Sequence, residues 1–360
     1  MGCAGNSGIR EKGSSDNYIL AEYDVTDTEE ETFLYLPKYK ETKEENDKEE
    51  VIRETPVREC EIEVNGEVIT KNEYKFPKPG IYKVKFIFKS PLTDATGLFS
   101  QVEDLKTIDL THFQGQKLTS IAYMLHYCGK LESADFSNLE LQNVTDMSYL
   151  IAVCSSLKSV NFSNIKTKNL ENISALFATC GSLESVDLSS FNTDNVKDMS
   201  DLFQGCENLN NIIFPNNFST KNVTTMKNMF CDCKALKQIN LSNFDTSKVT
   251  DMESMFTGCE SLKGLDFSKF NTQNVKKMDY MFNGCLSLKE LDLSSFKTQN
   301  AKSMNLMFCE CEGLTKLNLS NFNASKASID GMFDSIKNLK KGGLITKDKK
   351  ILEEFKKNSK

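Results

Sequence analysis

The chain has 360 residues, of which 44 are lysine or arginine and 51 are aspartate or glutamate, and its formal net charge at pH 7 is −7. No cluster of lysine and arginine is interleaved with aromatic residues, so the sequence argues against a nucleic-acid partner. It has two histidines, His112 and His126, and no phosphate-binding loop or nucleophile motif, so we expect a protein that is not an enzyme. No cofactor, metal or small-molecule substrate is predicted.

The chain begins with Met1, Gly2 and Cys3, a start that is typical of lipid-anchored proteins. Gly2 would accept myristate after removal of the methionine, and Cys3 beside it would accept palmitate. One myristoyl chain binds a membrane only marginally, so two chains would make the anchor stable. The serine or threonine favoured at position 6 is replaced by Asn6. The alternative interpretation is an ordinary flexible terminus.

Residues 1–55 are predicted to form a disordered acidic segment. Residues 28–54 consist mainly of glutamate, lysine and threonine, with few apolar groups beyond those at positions 33–36. Such a stretch buries too little apolar surface to offset the entropy that is lost on ordering. The alternative is that residues 33–36 form a short docking segment.

Residues 56–95 are predicted to form a small module of β-strands. Two strand-like stretches, at 61–64 and 68–69, flank Asn65 and Gly66, which is a strong signal for a two-residue hairpin. Residues 82–88 alternate between apolar and charged side chains, as in a half-buried strand. Because the module precedes the repeats directly, we expect it to cap the open end of a solenoid.

A period of 26 residues organises residues 96–340. One position recurs in every repeat and is here called the cysteine slot; Val102 fills it in the first repeat and Ile336 in the last. Cysteines fill the slot between them: Cys128, Cys154, Cys180, Cys206, Cys233, Cys259, Cys285 and Cys311. From Cys128 to Cys311, successive slot residues are 26 residues apart, except for one step of 27. A fixed period in this range, with leucines at set offsets, is typical of a leucine-rich-repeat solenoid.

The end residues of the slot favour a buried packing position, because valine and isoleucine could serve neither in a disulfide nor as metal ligands. Disulfide pairing and metal binding remain the alternatives. Cys231 and Cys309 add a second thiol in two copies, which is too sparse for a zinc site.

Each repeat is predicted to contain a helix followed by a strand. In the clearest copy, Val249, Met252, Met255, Phe256 and Cys259 follow spacings of 3, 3, 1 and 3, which places them on one face of a helix. The alternation around residues 265–268 then predicts a short strand. The predicted fold is therefore an α/β solenoid, a leucine-rich-repeat stack of about ten strand-plus-helix turns of 26 residues with a small N-terminal β cap.

Residues 341–360 are predicted to form a C-terminal cap. Gly342 and Gly343 break the repeat. Residues 344–345 then predict a strand, and Ile351, Leu352 and Phe355 predict a closing helix.

The clearest repeat resembles that of BspA-type leucine-rich-repeat proteins. Its matching residues are Met255, Phe256, Cys259, Leu262, Leu265, Asp266, Phe267, Ser268, Phe270, Asn271, Thr272 and Val275. The order recurs in residues 229–249 and 281–301, and the resemblance covers about residues 98–340. It implies a solenoid used for adhesion or protein–protein contact, without shared catalysis and without a particular ligand.

Residues 212–218 depart from this pattern and carry the extra residue. Ile213 stands where other copies have aspartate or asparagine, and Pro215 removes a donor from the strand ladder. Ile213 is therefore a candidate contact residue, and sequence drift in one repeat is the alternative.

The predicted function is a non-catalytic interaction module, lipid-anchored at the cytosolic face of a membrane, that binds a partner protein through a concave strand face. The predicted contact residues are Asn161, Ser163, Asp187, Ser189, Ile213, Asn240, Ser242, Asp266, Ser268, Asp292, Ser294, Asn318 and Ser320. The alternative for each polar residue is a solvated ladder imposed by the repeat. Two other functions stay open: a cell-surface adhesin exported by a non-classical route, and a soluble structural component of a cytoskeletal or ciliary assembly.

The expected location is cytoplasmic and membrane-associated. No apolar run is long enough for a signal peptide or a transmembrane helix. The 12 cysteines would then stay reduced in the cytosol. The cell surface is the alternative location.

Overall fold

The computed structural model describes residues 17–45, 48–55 and 58–357, so the predicted lipidation residues Gly2 and Cys3 lie outside the described residues. The strands are β1 (Tyr18–Val25), β2 (Thr32–Phe33), β3 (Lys40–Glu45), β4 (Lys48–Glu54), β5 (Glu61–Val64), β6 (Glu67–Ile69), β7 (Glu73–Tyr74), β8 (Gly80–Ile87), β9 (Leu105–Asp109), β10 (Ser133–Asp135), β11 (Ser159–Asn161), β12 (Ser185–Asp187), β13 (Asn211–Ile213), β14 (Glu290–Asp292), β15 (Lys316–Asn318) and β16 (Leu344–Ile345). A 3₁₀ helix at Lys341–Gly343 and the α-helix α1 (Lys349–Lys357) complete the described elements.

The N-terminal strands continue the sheet of the solenoid. Strand β1 pairs antiparallel with β8 on one side and with β9, the strand of the first coil, on the other. The sheet runs in the order β11, β10, β9, β1, β8, β5 and β6. An unpaired strand edge is a template for pairing with other chains, and β1 covers that edge of the first coil.

The prediction that residues 1–55 form a disordered segment is wrong for the described residues in that range. Strand β1 buries every second side chain, β2 pairs with β7, and β3 pairs with β4. Leu34 and Tyr35 lie in the core, and the Tyr23 hydroxyl donates a hydrogen bond to the Leu34 carbonyl. The composition of residues 28–54 hid this, because a few buried apolar side chains anchor an otherwise charged stretch.

A buried arginine ties this segment to the first coil. The Arg58 guanidinium donates to the carbonyl oxygens of Leu36 at 3.0 Å and Thr96 at 2.8 Å. Burial lowers the pKa of Arg58 to about 10. Its acceptors among the described residues are backbone carbonyl oxygens and not carboxylates, so the side chain works as a cross-link between backbone segments.

The short hairpin and the C-terminal cap follow the sequence predictions. Strands β5 and β6 pair antiparallel around Asn65 and Gly66, which have φ values of 49° and 88°. Strand β8 covers most of the predicted strand at 82–88. At the other end β16 pairs parallel with β15, and α1 buries Ile351 and Phe355.

The helical part of the repeat prediction is wrong: these residues form a run of β-turns, here called the turn segment, which ends at the cysteine slot. In residues 252–258, alternate backbone amides donate to carbonyls of the next coil at 2.8 to 3.0 Å. The intervening amides of Met255, Thr257 and Cys259 donate to carbonyls three residues earlier at 3.2 to 3.3 Å. An α-helix would instead donate four residues back within the same segment.

The turn segment buries the same residues that a helix would bury, which explains the error. Met252, Met255, Phe256 and Cys259 all point into the core. The difference lies in two backbone positions per coil, such as Ser254 and Gly258 with φ values of 55° and 68°. A left-handed residue every four positions cannot belong to an α-helix of L-amino acids.

Consecutive coils are joined more continuously on the turn side than on the strand side. Nine parallel bridges between described residues link successive coils from Asp94 to Ser328, consistent with a solenoid of about nine turns. On the strand side, three separate groups of strands are paired: β9 with β10 and β10 with β11, β12 with β13, and β14 with β15 and β15 with β16. Residues 238–240 and 264–266 lie outside these strands.

The structure gives no support for a concave strand face. That expectation depended on helices, which are wider than strands, backing the sheet. The turn segments stack through backbone hydrogen bonds and therefore have the same spacing as strands. We use "strand face" below for the outward residues of β9 to β15 and of residues 238–240 and 264–266.

Aromatic stacking fills the core behind the turn segments. Neighbouring rings lie 5.4 to 6.0 Å apart between centroids in a continuous ladder: Phe177, Phe203, Phe230, Phe256, Phe282, Phe308 and Phe333. Near-parallel rings at this distance gain contact energy beyond their buried area. The ladder therefore stabilises the same junctions as the backbone hydrogen bonds.

The left-handed positions predict a stabilising substitution at Thr179. This exposed, β-branched residue has φ 61°, a conformation that costs about 1–2 kcal/mol for an L-residue. Thr179→Gly should remove that strain and, after about 0.5–1 kcal/mol of extra unfolded-state entropy, raise the free energy of unfolding by about 0.5–1 kcal/mol. Urea denaturation followed by circular dichroism would measure it.

Gly205 provides the matched control for this prediction. It occupies the equivalent position of the next coil with φ 70°, and an added Cβ would lie 3.3 Å from the Cα of Thr179. Gly205→Ala should lower the free energy of unfolding by about 0.5–1 kcal/mol, because about 1–2 kcal/mol of strain is partly offset by about 0.5–1 kcal/mol from the smaller entropy of the unfolded chain. If both variants lost stability equally, backbone strain at these positions would not be the controlling factor.

Candidate protein-binding surface

The predicted contact residues form a row across the strand face. Asn161, Asp187 and Ile213 end β11, β12 and β13, and Asp292 and Asn318 end β14 and β15. Direct register partners are Asp187 with Ile213 and Asp292 with Asn318. Asn240 and Asp266 occupy the same repeat position in the two coils between. All are exposed except the half-buried Asn318.

Each aspartate or asparagine of this row also has a structural role. Its side-chain oxygen accepts a hydrogen bond, 2.7 to 3.1 Å long, from the backbone amide two residues later. The donors are the amides of the predicted serines: Ser163, Ser189, Ser242, Ser268, Ser294 and Ser320. These Asx turns end the strands. One oxygen of each carboxylate serves the turn, and the side chains of Asp187, Asp266 and Asp292 are exposed.

The Asx turns keep two of these carboxylates charged. Hydrogen bonds from the Ser268 backbone lower the pKa of Asp266, and hydrogen bonds from the Ser294 hydroxyl and backbone lower the pKa of Asp292. A carboxylate that accepts such bonds favours its ionised form. The row therefore carries negative charge at neutral pH at Asp266 and Asp292.

The row changes character at the irregular repeat. Ile213 is 45% exposed, and the Pro215 that follows is buried. A groove of about 380 Å³ lies beside it, lined by Asn210, Asn211, Ile212, Gln238, Ile239 and Asn240. No backbone hydrogen bond joins residues 211–213 to 238–240 in the described part of the chain.

The sequence analysis missed an aromatic cluster on the turn side. Tyr123 and Tyr149 stack with centroids 4.8 Å apart, and His126 meets both edge-on. Tyr127 beside them is 52% exposed. Burial lowers the pKa of His126 to about 4, so the imidazole is neutral and packs like an aromatic ring. The 26-residue step from Tyr123 to Tyr149 was a signal that could have revealed it.

The cysteine slot is a buried packing position, as predicted, and it also makes hydrogen bonds. From Cys128 to Cys311, each thiol donates at 3.0 to 3.2 Å to a carbonyl of the preceding coil. The thiols are free, including those of Cys231 and Cys309. The described residues contain no group of acidic, histidine or cysteine side chains arranged to hold a metal ion.

The described part of the chain has no helix long and apolar enough to cross a bilayer. A second groove, of about 510 Å³, lies on the N-terminal strands between Leu20, Glu63, Lys83 and Asp109. It is formed by the cap and not by the row of predicted residues.

A family model described as "Mycoplasma protein of unknown function, DUF285" matches residues 93–186, 178–264 and 239–345. No curated protein matches the chain.

Several solved structures resemble the fold at low identity. A leucine-rich cell surface protein from Faecalibacterium prausnitzii A2-165 is 14% identical, covering 76% of this chain and 86% of its own, with a TM-score of 0.30. A leucine-rich-repeat protein from Bacteroides ovatus is 15% identical, covering 78% and 93%, with a TM-score of 0.22. A TLR13–ssRNA13 complex is 18% identical, covering 69% and 44%, with a TM-score of 0.25. Such low TM-scores carry no argument about function.

The buried thiols predict a specific pattern of labelling. Burial raises the pKa of Cys128, Cys180 and Cys311 to about 12, and that of the half-buried Cys60 to about 11. Since the thiolate is the reactive form and access is also required, iodoacetamide at pH 8 should modify the half-buried Cys60 before the slot cysteines, which should react only after unfolding in urea. Mass spectrometry of peptides would map the order, and native labelling of Cys128 at its unfolded rate would contradict it.

The same pKa shifts have a consequence for stability. A thiol whose pKa is raised above its ordinary 9.0 stabilises the folded chain fully below that pH. This contribution is lost as the pH rises from 9.0 towards 12, because unfolding releases protons there.

Proposed function

The chain belongs to the DUF285 repeat family, as its resemblance to BspA-type leucine-rich repeats indicates, and on that premise we propose that it is a non-catalytic interaction module that binds a partner protein through the strand face. Repeat solenoids of this kind offer long binding surfaces. The supporting observation is the exposed row ending the strands, in which aspartates keep a second carboxylate oxygen that the Asx turns do not use. Such a row suits polar or basic groups of a partner.

The placement of the row favours the strand face over the turn side. Its residues recur at one position in successive coils, so a partner could contact several of them at the spacing of neighbouring strands, about 4.8 Å. The repeat part of the aromatic cluster on the turn side is confined to two coils, and Tyr127 is its exposed member. The strand face therefore offers the longer regular surface.

We further propose that acylation of Gly2 and Cys3 holds the protein at the cytosolic face of a membrane. This part is supported by the sequence pattern of residues 1–3 alone. Two acyl chains would give the stable attachment that one cannot.

Substitution of aspartate by asparagine separates binding from folding. Asn161, Asn240 and Asn318 form the same Asx turn as the aspartates. The variant Asp187→Asn, Asp266→Asn, Asp292→Asn should therefore keep its stability, within about 0.5 kcal/mol for exposed positions, while losing three charges that a partner would contact.

Photo-crosslinking in cells would measure that loss of binding. A benzophenone amino acid in place of Ser185, exposed on the strand face, should give a discrete adduct that weakens several-fold in the triple variant. Tyr280, exposed on the turn side, is the matched crosslinking position. Adducts formed only from position 280, unchanged in the triple variant, would refute the strand face as the binding surface.

The anchor is tested at the N-terminus itself. The wild-type terminus should carry a myristoyl mass, and Gly2→Ala should move the protein from the membrane to the soluble fraction. Cys3→Ser should keep the myristoyl mass and give intermediate partitioning, because one chain binds only marginally. An unmodified Gly2 with unchanged partitioning would remove the anchor and leave the binding proposal in place.

A further inference from the structure

The groove beside Ile213 differs from the paired strands in its backbone. Strand β12 pairs with β13 over three register pairs, as β14 does with β15. Between residues 211–213 and 238–240 this pairing is missing in the described chain. The turn side of the same coils stays bridged, from Asp198 to Thr225 and from Thr225 to Asp251. The strand side therefore opens at this junction while the turn side remains closed.

The opening leaves apolar side chains accessible that β12, β14 and β15 bury. Ile212 and Ile239, which both line the groove, are half-buried. The equivalent Val186 of β12 and Leu291 of β14 are buried. Ile213, at the rim, is the exposed apolar residue of the row. The groove could therefore receive one apolar side chain of a partner.

The charge around the groove differs from that of the row on either side. The row is uncharged at Ile213 and Asn240, between Asp187 and Asp266. The negative charge that the aspartates give to the row is therefore interrupted over these two coils.

Two lysines without ion-pair partners among the described residues directly precede residues 238–240 and 264–266, at the end of these segments opposite to the row. Lys237 and Lys263 are exposed and form no ion pair with the described residues. Lysines at the same repeat position nearer the N-terminus are paired, because a carboxylate lies on a neighbouring strand. Their distances are 3.1 Å for Lys106 to Asp24 and 2.9 Å for Lys158 to Glu132. Lys237 directly precedes Gln238 of the groove, and Lys263 occupies the same position one coil further along, so positive charge without an ion-pair partner among the described residues lies beside the groove on one side.

We propose that this groove, with Ile213 and the lysine rim of Lys237 and Lys263, is the specificity site of the strand face and binds an acidic segment of a partner protein that carries one apolar anchor residue. The proposal rests on the proposed function, because it assigns a partner chemistry to the same face. The anchor would enter between Ile212 and Ile239, and the acidic groups would meet the lysines. Buried apolar anchors with charged rims are the usual source of affinity and of specificity, respectively.

Three short fluorescent peptides test the proposal against the full chain by anisotropy. In the first, one isoleucine is flanked by glutamates; in the second, the isoleucine is replaced by serine; in the third, the glutamates are replaced by lysines. The first should bind, with an affinity that falls as salt is added. Loss of the apolar anchor should weaken binding by about tenfold, and the lysine peptide should not bind.

Variants with matched controls locate the site. Ile213→Ser should weaken binding of the first peptide by about tenfold, while Leu286→Ser, at another exposed apolar residue, should not change it. The double variant Lys237→Gln, Lys263→Gln should weaken binding more than Lys297→Gln, Lys302→Gln, at exposed lysines elsewhere. Hydrogen exchange would show, for each variant, whether the fold is retained, and should slow at residues 238–240 when the peptide is bound.

Two outcomes of these measurements would overturn the proposal. Binding that is equal for the three peptides, or equally weakened by the control variants, would show non-specific attraction. No binding of any peptide would remove the groove as a site for acidic segments. The crosslinking at position 185 would still decide the proposed function separately, because its readout is the loss of adduct in the triple aspartate variant, which changes no residue that lines the groove.

Discussion

The rest of the structure depends on the hydrogen bonds that alternate backbone amides of each turn segment donate to carbonyl oxygens of the next coil. They require a left-handed residue at two positions of every coil, such as Ser254 and Gly258. Once this geometry is set, neighbouring coils lie at strand spacing on both sides. The phenylalanine rings can then stack, and each slot thiol reaches a carbonyl of the preceding coil.

The period and its buried positions could be predicted from the sequence, but the conformation of the turn segment could not. Met252, Met255, Phe256 and Cys259 point inward in a helix and in a run of β-turns alike, so apolar spacing does not distinguish the two. Glycines that precede the cysteine slot, as at Gly258, carried the missing information. The N-terminal error has another cause, since a charged segment is ordered by strand pairing with distant residues of β8 and β9.

The candidate surface could be predicted in position but not in chemistry. The row from Asn161 to Asn318 was recognisable because the repeat places its members at one offset. Its Asx turns depend on local backbone geometry, and the rim lysines depend on which carboxylates lie on neighbouring coils. Lys158 and Lys237 look equivalent in sequence, yet only Lys158 has an ion-pair partner among the described residues.

The caps at the two ends of the solenoid determine whether molecules can associate end to end. Every coil presents the next with the same backbone donors and acceptors, so an uncovered first coil would match an uncovered last coil of another molecule. Strand β1 runs antiparallel across the first coil, and Phe355 of α1 ends the phenylalanine ladder edge-on against Phe333 at 5.3 Å. The two caps therefore block end-to-end stacking of one solenoid on another. Without them, the same contacts that join the coils could join molecules into a fibre.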